Sequence, residues 1–300
     1  KVFTRTEMEY IADAVIAAGP QCIVLSDEVY KYIVHSPPKS NTSGTMDNTC
    51  DTDENSGFTC TASACEGHEH FASLPGMWDR TITISSAGKT FSMTGWQVGW
   101  AVGPEHLISP IHQLMPYVQF CASTVMQEAL ARTLSKADEA YLGYENYYQY
   151  LMQKYKRKRD LLGNALNASG FAIPDYDITP GGGFFIFARI GKSIRNVLPR
   201  ERINVENKSA PGGIARMDWA LCQWMAEEKG ILCIPASPFF SNKSAEAGVS
   251  DEFVRIAFCK SDETIEKAAE RLLKLVTSSS GSSTDGNSVD SNDFPVEVNA

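Results

Sequence analysis

No apolar run in this 300-residue sequence approaches the ~18 residues needed to cross a bilayer as a helix. No secretory signal pattern is visible either, which favours reduced thiols in an intracellular protein. Positive charge is also short: 27 Lys and Arg stand against 36 Asp and Glu, a net charge of −9. That balance argues against broad binding to nucleic acid or to an anionic membrane surface. Two suggestive motifs are incomplete. Gly88-Lys89-Thr90 ends like a phosphate-binding P-loop, but the first glycine of that pattern would fall at Thr83. Cys50, Cys60, Cys65, His68 and His70 resemble zinc ligands, yet the second Cys-x-x-Cys or His-x-x-x-His arm is lacking, so no metal site is expected.

What is present is ordinary for a globular protein: 43% hydrophobic and 21% charged residues, enough chain for one large or two moderate domains. Of the 8 cysteines, Cys22, Cys121, Cys222, Cys233 and Cys259 lie in apolar segments and are expected to behave as small buried hydrophobes. The sequence opens on Lys1-Val2-Phe3 without an initiator Met, and an N-terminal part is expected to precede it. The compartment is read as cytoplasmic, with mitochondrial import left open because the true N-terminus is not visible. Thr4 and Glu7 form a capping box for a helix to about Ala18. Gln21–Ser26 reads as a fully buried strand of a parallel sheet. Residues 36–72 are rich in Ser, Thr, Asn, Asp and Gly and predict a loosely held insertion. Helical patterns follow over Leu107–Leu134 and Asp138–Ala168. The run Lys154, Lys156, Arg157, Lys158 and Arg159 reads as a solvated helix face. Beyond Gly170, strands at Phe184–Phe187, Ile231–Ile234 and Phe253–Phe258 alternate with helices at Arg216–Lys229 and Asp262–Val276. Residues 189–213 read as loop, and the Ser/Gly/Asp-rich segment from Thr277 as a disordered tail. The domain division is 1–150, 151–276 and the tail 277–300.

Four residues stand out chemically. Lys89 follows the alternating run Thr81-Ile82-Thr83-Ile84 in a loop of small residues, a setting in which an amine can be partly desolvated into a nucleophile. A merely solvated loop lysine is the plainer alternative. Asp27 ends the first strand, with Tyr30 three residues on. In open α/β sheets, ligand groups gather at the carboxyl ends of strands. Arg255 interrupts an apolar strand, where a charge is costly unless it meets an anion. It fits either a structural salt bridge or a bidentate clamp for a carboxylate.

Taken together, Asp27-Glu28-Val29-Tyr30, Ser73-Leu74-Pro75-Gly76-Met77-Trp78-Asp79-Arg80-Thr81, Ser86-Ala87-Gly88-Lys89-Thr90-Phe91 and Gly95-Trp96-Gln97-Val98-Gly99-Trp100 resemble the fold-type I, pyridoxal phosphate-dependent aminotransferases. The likeness is greatest to the kynurenine aminotransferase (glutamine transaminase K, cysteine-S-conjugate β-lyase) subgroup. Pro180-Gly181-Gly182-Gly183-Phe184-Phe185 and Val254-Arg255-Ile256-Ala257-Phe258 extend it to Val276. The resemblance implies an α/β fold: the C-terminal portion of the transferase fold, with the remainder of a three-layer α/β/α large domain and a smaller α+β domain. It implies pyridoxal 5′-phosphate as cofactor and a homodimer acting on small amino acids and 2-oxo acids. Lys89 would form the Schiff base and shuttle the proton, Asp27 would pair with the pyridine nitrogen, and Tyr30 would hydrogen-bond the phenolate oxygen. Ser86 would bind the phosphate and Arg255 the substrate α-carboxylate. The contrasting reading is a truncated or degenerate chain of this fold without activity.

One position departs from the resemblance. Relatives carry Arg or Lys eight residues after the Schiff-base lysine, against the phosphate, and here that position is Gln97. A neutral amide can donate a hydrogen bond but loses its charge-assisted part, on the order of 1–3 kcal/mol. Gln97→Arg is accordingly expected to tighten pyridoxal phosphate binding, and a fluorescence titration showing unchanged affinity would contradict this.

Overall fold

The computed structural model describes residues 2–35, 67–173 and 181–277, which form two compact units. The first comprises Val2–Gln153 with Gly181–Gly183; the second begins at Lys154 and includes the described residues from Phe184 onward. The tail from residue 278 and most of the segment read as an insertion lie outside the described residues.

In the first unit, α1 (Arg5–Ala17) starts where the sequence places it. Thr4 Oγ1 accepts from the Glu7 amide at 3.2 Å, while Glu7 Oε2 accepts from the Thr4 amide at 2.9 Å. Strand β1 (Val24–Asp27) pairs in parallel with β2 (Thr81–Ser86), and β2 pairs antiparallel with β3 (Gly99–Val102). A single helical turn, α2 (Ala87–Thr90), leaves the end of β2. Two corrections follow. Strand β1 is not fully buried: Leu25 is 64% exposed and Asp27, on the same face, is exposed too, so one face of the strand is uncovered. Residues 67–72 are not loosely held, since Phe71 is buried with Leu74, Met77 and Ala12 in one apolar cluster. Composition misled there because one aromatic side chain can anchor an otherwise polar stretch.

The helical pattern over Leu107–Leu134 is two helices, α3 (Glu105–Val118) and α4 (Thr124–Ala137), separated at Phe120, whose φ of +68° no α-helix accommodates. Likewise α5 (Tyr147–Ala168) starts later than expected, because Leu142 and Gly143 adopt positive φ in a turn closed by paired Tyr141 and Tyr144. Helix α5 runs from the first unit into the second. Its cationic face is not wholly solvated: Lys158 and Arg159 are buried. Lys158 Nζ reaches the Lys260 carbonyl and lies 3.3 Å from Asp262 Oδ1, so the charge is paired where it is desolvated. Burial lowers the Lys158 pKa against the opposing pull of Asp262.

The second unit is built on an antiparallel sheet in which β4 (Phe171–Ala172), β5 (Phe185–Ile190), β9 (Phe253–Ala257) and β8 (Ile234–Pro235) lie in that spatial order. The region 189–213, expected as loop, contains α6 (Lys192–Val197) and β6 (Val205–Glu206), which pairs with β7 (Ile214–Ala215). Helices α7 (Met217–Lys229), α8 (Asn242–Glu246) and α9 (Asp262–Thr277) complete it. In α9, Ile265, Ala268, Ala269, Leu272 and Leu275 are buried at the helical period, and in β9 Val254 and Ile256 are buried on one face of the strand. Helix α5 passes close to the sheet at Gly163, where an added Cβ would lie 3.6 Å from Ile173 Cδ1 and 4.0 Å from Ile186 Cδ1. The free cysteines divide by position: Cys222 and Cys233 are buried, Cys22 and Cys259 partly so, and Cys121 is exposed, contrary to expectation. Cys121 directly follows Phe120, whose φ is +68°, between α3 and α4.

Leu162 of α5 is completely buried. Leu162→Ala is expected to destabilise the protein by about 2–5 kcal/mol, the usual result of a buried Leu→Ala cavity; chemical denaturation followed by circular dichroism checks it.

Candidate cofactor site

The site begins with strand pairing. In the parallel register, Asp27 lies opposite Ile84, so both chains leave the sheet at the same carboxyl edge. Asp27 ends β1, and Lys89 lies in the turn that directly continues β2. Asp27 is exposed and Lys89 half-buried. Asp27 Oδ1 accepts from the Val29 amide at 3.3 Å, which bends the chain at once into the Tyr30 loop.

That loop is held on both sides of Tyr30. On one side Glu28 is buried, and its amide donates to the Ile84 carbonyl at 2.8 Å. On the other side Ile33 is fully buried, and its amide donates to the Tyr30 carbonyl at 2.8 Å. The Ile33 carbonyl accepts from the Gly183 amide, and Val34 bridges Gly182. A Cβ on Gly182 would come within 3.0 Å of the Ile33 carbonyl oxygen, so glycine there permits a close backbone approach.

Lys89 is positioned by its neighbours. Ala87 and Thr90, on either side of it, are buried, and Ala87 packs with Val98 and Leu130, supported by Phe91, Met93, Trp96 and Trp100. The Ala87 amide donates to the Val98 carbonyl at 3.1 Å. At the other end of the turn, Tyr147 of α5 donates its hydroxyl to the Thr90 carbonyl at 2.9 Å and stacks on Phe91 with centroids 5.3 Å apart. The local helical pattern gives no sign of this contact; only the fold reveals that Tyr147 caps the Lys89 turn.

Ser86 caps the same turn: its Oγ accepts from the Gly88 amide at 3.2 Å, leaving the hydroxyl proton free to be donated to an anion. Gln97 is exposed, in a left-handed conformation, with its side-chain amide donating to the Thr94 carbonyl at 2.7 Å. Arg255 lies in the second unit on β9, between Phe187 of β5 and Ile234 of β8. Its guanidinium carbon sits 4.4 Å from the Phe185 ring centroid and 4.2 Å from that of Phe239. Two aromatic faces thus accommodate the charge that the strand pattern made conspicuous. The periodicity gave no sign of Phe239, which comes from a separate turn.

Sequence reasoning also passed over Glu28. Its Oε1 accepts from Ser26 Oγ at 3.0 Å and from the Phe71 amide at 3.3 Å, while Oε2 faces His68 Nε2 at 3.0 Å and His70 Nδ1. Burial would raise the Glu28 pKa, but the hydrogen bonds and charges of His68 and His70 outweigh it and hold the carboxyl well below the usual range.

Two parallel strands thus bring an acid, Asp27, and the turn that bears an amine, Lys89, to the same edge of the sheet. Residues 1–272 match the family described as aminotransferase class I and II, and the chain belongs to that family. Members of this family use pyridoxal phosphate. The chain is 35% identical to a kynurenine–oxoglutarate transaminase of Dictyostelium discoideum, over 92% of its own length and 53% of the relative's. It is 32% identical to kynurenine–oxoglutarate transaminase 3 of Homo sapiens, over 91% and 50% of the two lengths. It spans about half the length of these relatives. Among solved structures, it superimposes on N-succinyldiaminopimelate aminotransferase of Mycobacterium tuberculosis with a TM-score of 0.63 and 28% identity, covering 92% of this chain and 55% of that one. Bna3p of Saccharomyces cerevisiae, described as a putative kynurenine aminotransferase, gives a TM-score of 0.66 at 23% identity, over 92% and 54%, and supports the fold alone. Among the described residues no helix is long and apolar enough to cross a membrane.

Tyr147→Phe removes the hydroxyl that caps the Lys89 turn. We expect a loss of about 0.5–1.5 kcal/mol in stability, as for one net hydrogen bond, with ring stacking retained; an unchanged unfolding midpoint would contradict the cap.

Proposed function

We propose that this chain carries the catalytic lysine and much of the pocket of a pyridoxal phosphate-dependent amino acid aminotransferase. The amino donor is of the kynurenine, glutamine, aromatic or sulfur-containing class, and the acceptor is a 2-oxo acid. The observation that carries this is the lysine turn clamped at the end of β2, beside a strand that ends in Asp27, in a chain of the aminotransferase class I and II family.

The residues fit the cofactor's chemical groups. Its aldehyde calls for a primary amine, which Lys89 offers on a packed turn. Its ring nitrogen calls for a carboxylate, which Asp27 offers on the adjacent strand end; its phosphate calls for donors such as the Ser86 hydroxyl. Once bound, pyridoxal phosphate supplies the carbonyl for amine exchange and a ring that accepts electron density from the substrate α-carbon. The protein's part is binding, orientation and proton movement. Asp27 would hold the ring nitrogen of the bound cofactor, and the Tyr30 hydroxyl would donate to its phenolate oxygen. Lys89 Nζ would move the proton at the substrate α-carbon. The Arg255 guanidinium holds the substrate α-carboxylate through two parallel hydrogen bonds. The same α-proton removal lets a leaving group depart from Cβ, which supports a cysteine-S-conjugate β-lyase side activity. Gln97, already donating to the Thr94 carbonyl, adds no charge to phosphate binding. A homodimer is part of this reading.

The test is covalent trapping. Protein mixed with pyridoxal phosphate is expected to develop a visible absorbance band. Borohydride reduction followed by peptide mapping should then place the label on Lys89 and lose it in Lys89→Ala. A label on other lysines, undiminished by that substitution, would refute the assignment. Transfer from kynurenine to 2-oxoglutarate, followed by product formation, tests the substrate class.

A further inference from the structure

The Tyr30 loop carries a cluster that amino transfer does not use. The Glu28 side chain is only 5% exposed, and its two oxygens have different surroundings. Oε1 is fixed by Ser26 Oγ and the Phe71 amide. Oε2 faces His68 Nε2 at 3.0 Å and His70 Nδ1, from rings set nearly perpendicular at 78° with centroids 4.9 Å apart. One ligand atom from each of Glu28, His68 and His70 lies within 4.8 Å of the others. The sequence shows half of this as the His68-Glu69-His70 spacing; the fold brings in Glu28 from 40 residues upstream.

We propose that Glu28, His68 and His70 form a mononuclear site for a zinc-class divalent cation, with its remaining position open to water. Two imidazoles and one carboxylate are the donor set such borderline-soft ions prefer. Bonds of about 2.0–2.2 Å in a tetrahedron put neighbouring ligand atoms about 3.3 Å apart, close to the 3.0 Å between Glu28 and His68. Ser26 and the Phe71 amide supply the outer hydrogen bonds that orient a ligating carboxylate. On binding, each ring nitrogen turned toward Oε2 gives up its proton: a neutral ring moves it to its other nitrogen, and an imidazolium releases it to solvent. The ion would then join residues 68–71 to the loop bearing Asp27 and Tyr30. His68 and His70 are 20% and 37% exposed, so a chelator can reach it. This site does not rest on the aminotransferase reading.

The test uses the metal-free full chain, titrated with zinc by calorimetry and with cobalt by visible absorption. We expect one ion per chain, a raised melting temperature and reversal by chelator. The double variant His68→Ala/His70→Ala should lose more affinity than the roughly 10–100-fold typical of removing an outer-shell partner. If that variant does not fold, His70→Gln, which alters the more exposed ring, gives the same reading. Absence of zinc binding would reduce the cluster to hydrogen bonds alone and overturn the proposal. Undiminished affinity in the variants, or a thiolate-to-cobalt charge-transfer band assigning the ion to cysteine, would also overturn it.

Discussion

Parallel pairing of β1 with β2 is the constraint on which the site depends. Parallel neighbours end at the same edge of a sheet, so whatever side chains follow them share that edge. Asp27 is opposite Ile84, and Lys89 arrives five residues after Ile84 along one strand and one tight turn. A one-residue slip in this register would send alternate side chains to the opposite face of β1 and redirect the Asp27 carboxylate. The 53 residues between the paired strands add closure entropy that grows only slowly with length, which makes a long intervening segment tolerable.

Around that edge the structure spends its apolar packing on backbone rather than on the reactive groups. Ala87 and Thr90 are buried so that Lys89 between them can remain half-exposed. Glu28 and Ile33 are buried so that Tyr30 can be presented from a loop. This is how a flexible lysine is given a defined origin without being walled off from solvent. It also explains a tyrosine whose hydroxyl reaches a backbone carbonyl: Tyr147 fixes where the turn ends.

Charge is handled by different means in the two units. In the second unit Arg255 lies against two aromatic faces and Lys158 against a carbonyl and a carboxylate, so each buried or half-buried cation has found an electron-rich partner. In the first unit the buried anion Glu28 meets two imidazoles and an amide. Residues 67–72 owe their order to that contact and to Phe71, neither of which average composition weighs.

Sequence by itself determined the family, singled out Lys89, Asp27 and Tyr30 as candidates, and placed the helices whose caps or apolar periods are local. The capping box at Thr4 and Glu7 and the buried stripe of α9 are legible because their partners lie within one or two turns. Legibility failed wherever the partner was distant or the backbone took an unusual angle. Phe120 and Leu142 interrupt otherwise helical patterns through positive φ, which propensity does not foresee in such residues. Gln97 could be seen to lack a charge, but its engagement with the Thr94 carbonyl required coordinates. Glu28 with His68 and His70, Tyr147 with Thr90, and Arg255 with Phe239 were decided by tertiary structure alone. Hydrogen bonds and ring contacts act over a few ångströms in space, and the chain's local pattern holds no record of which remote residue will arrive there.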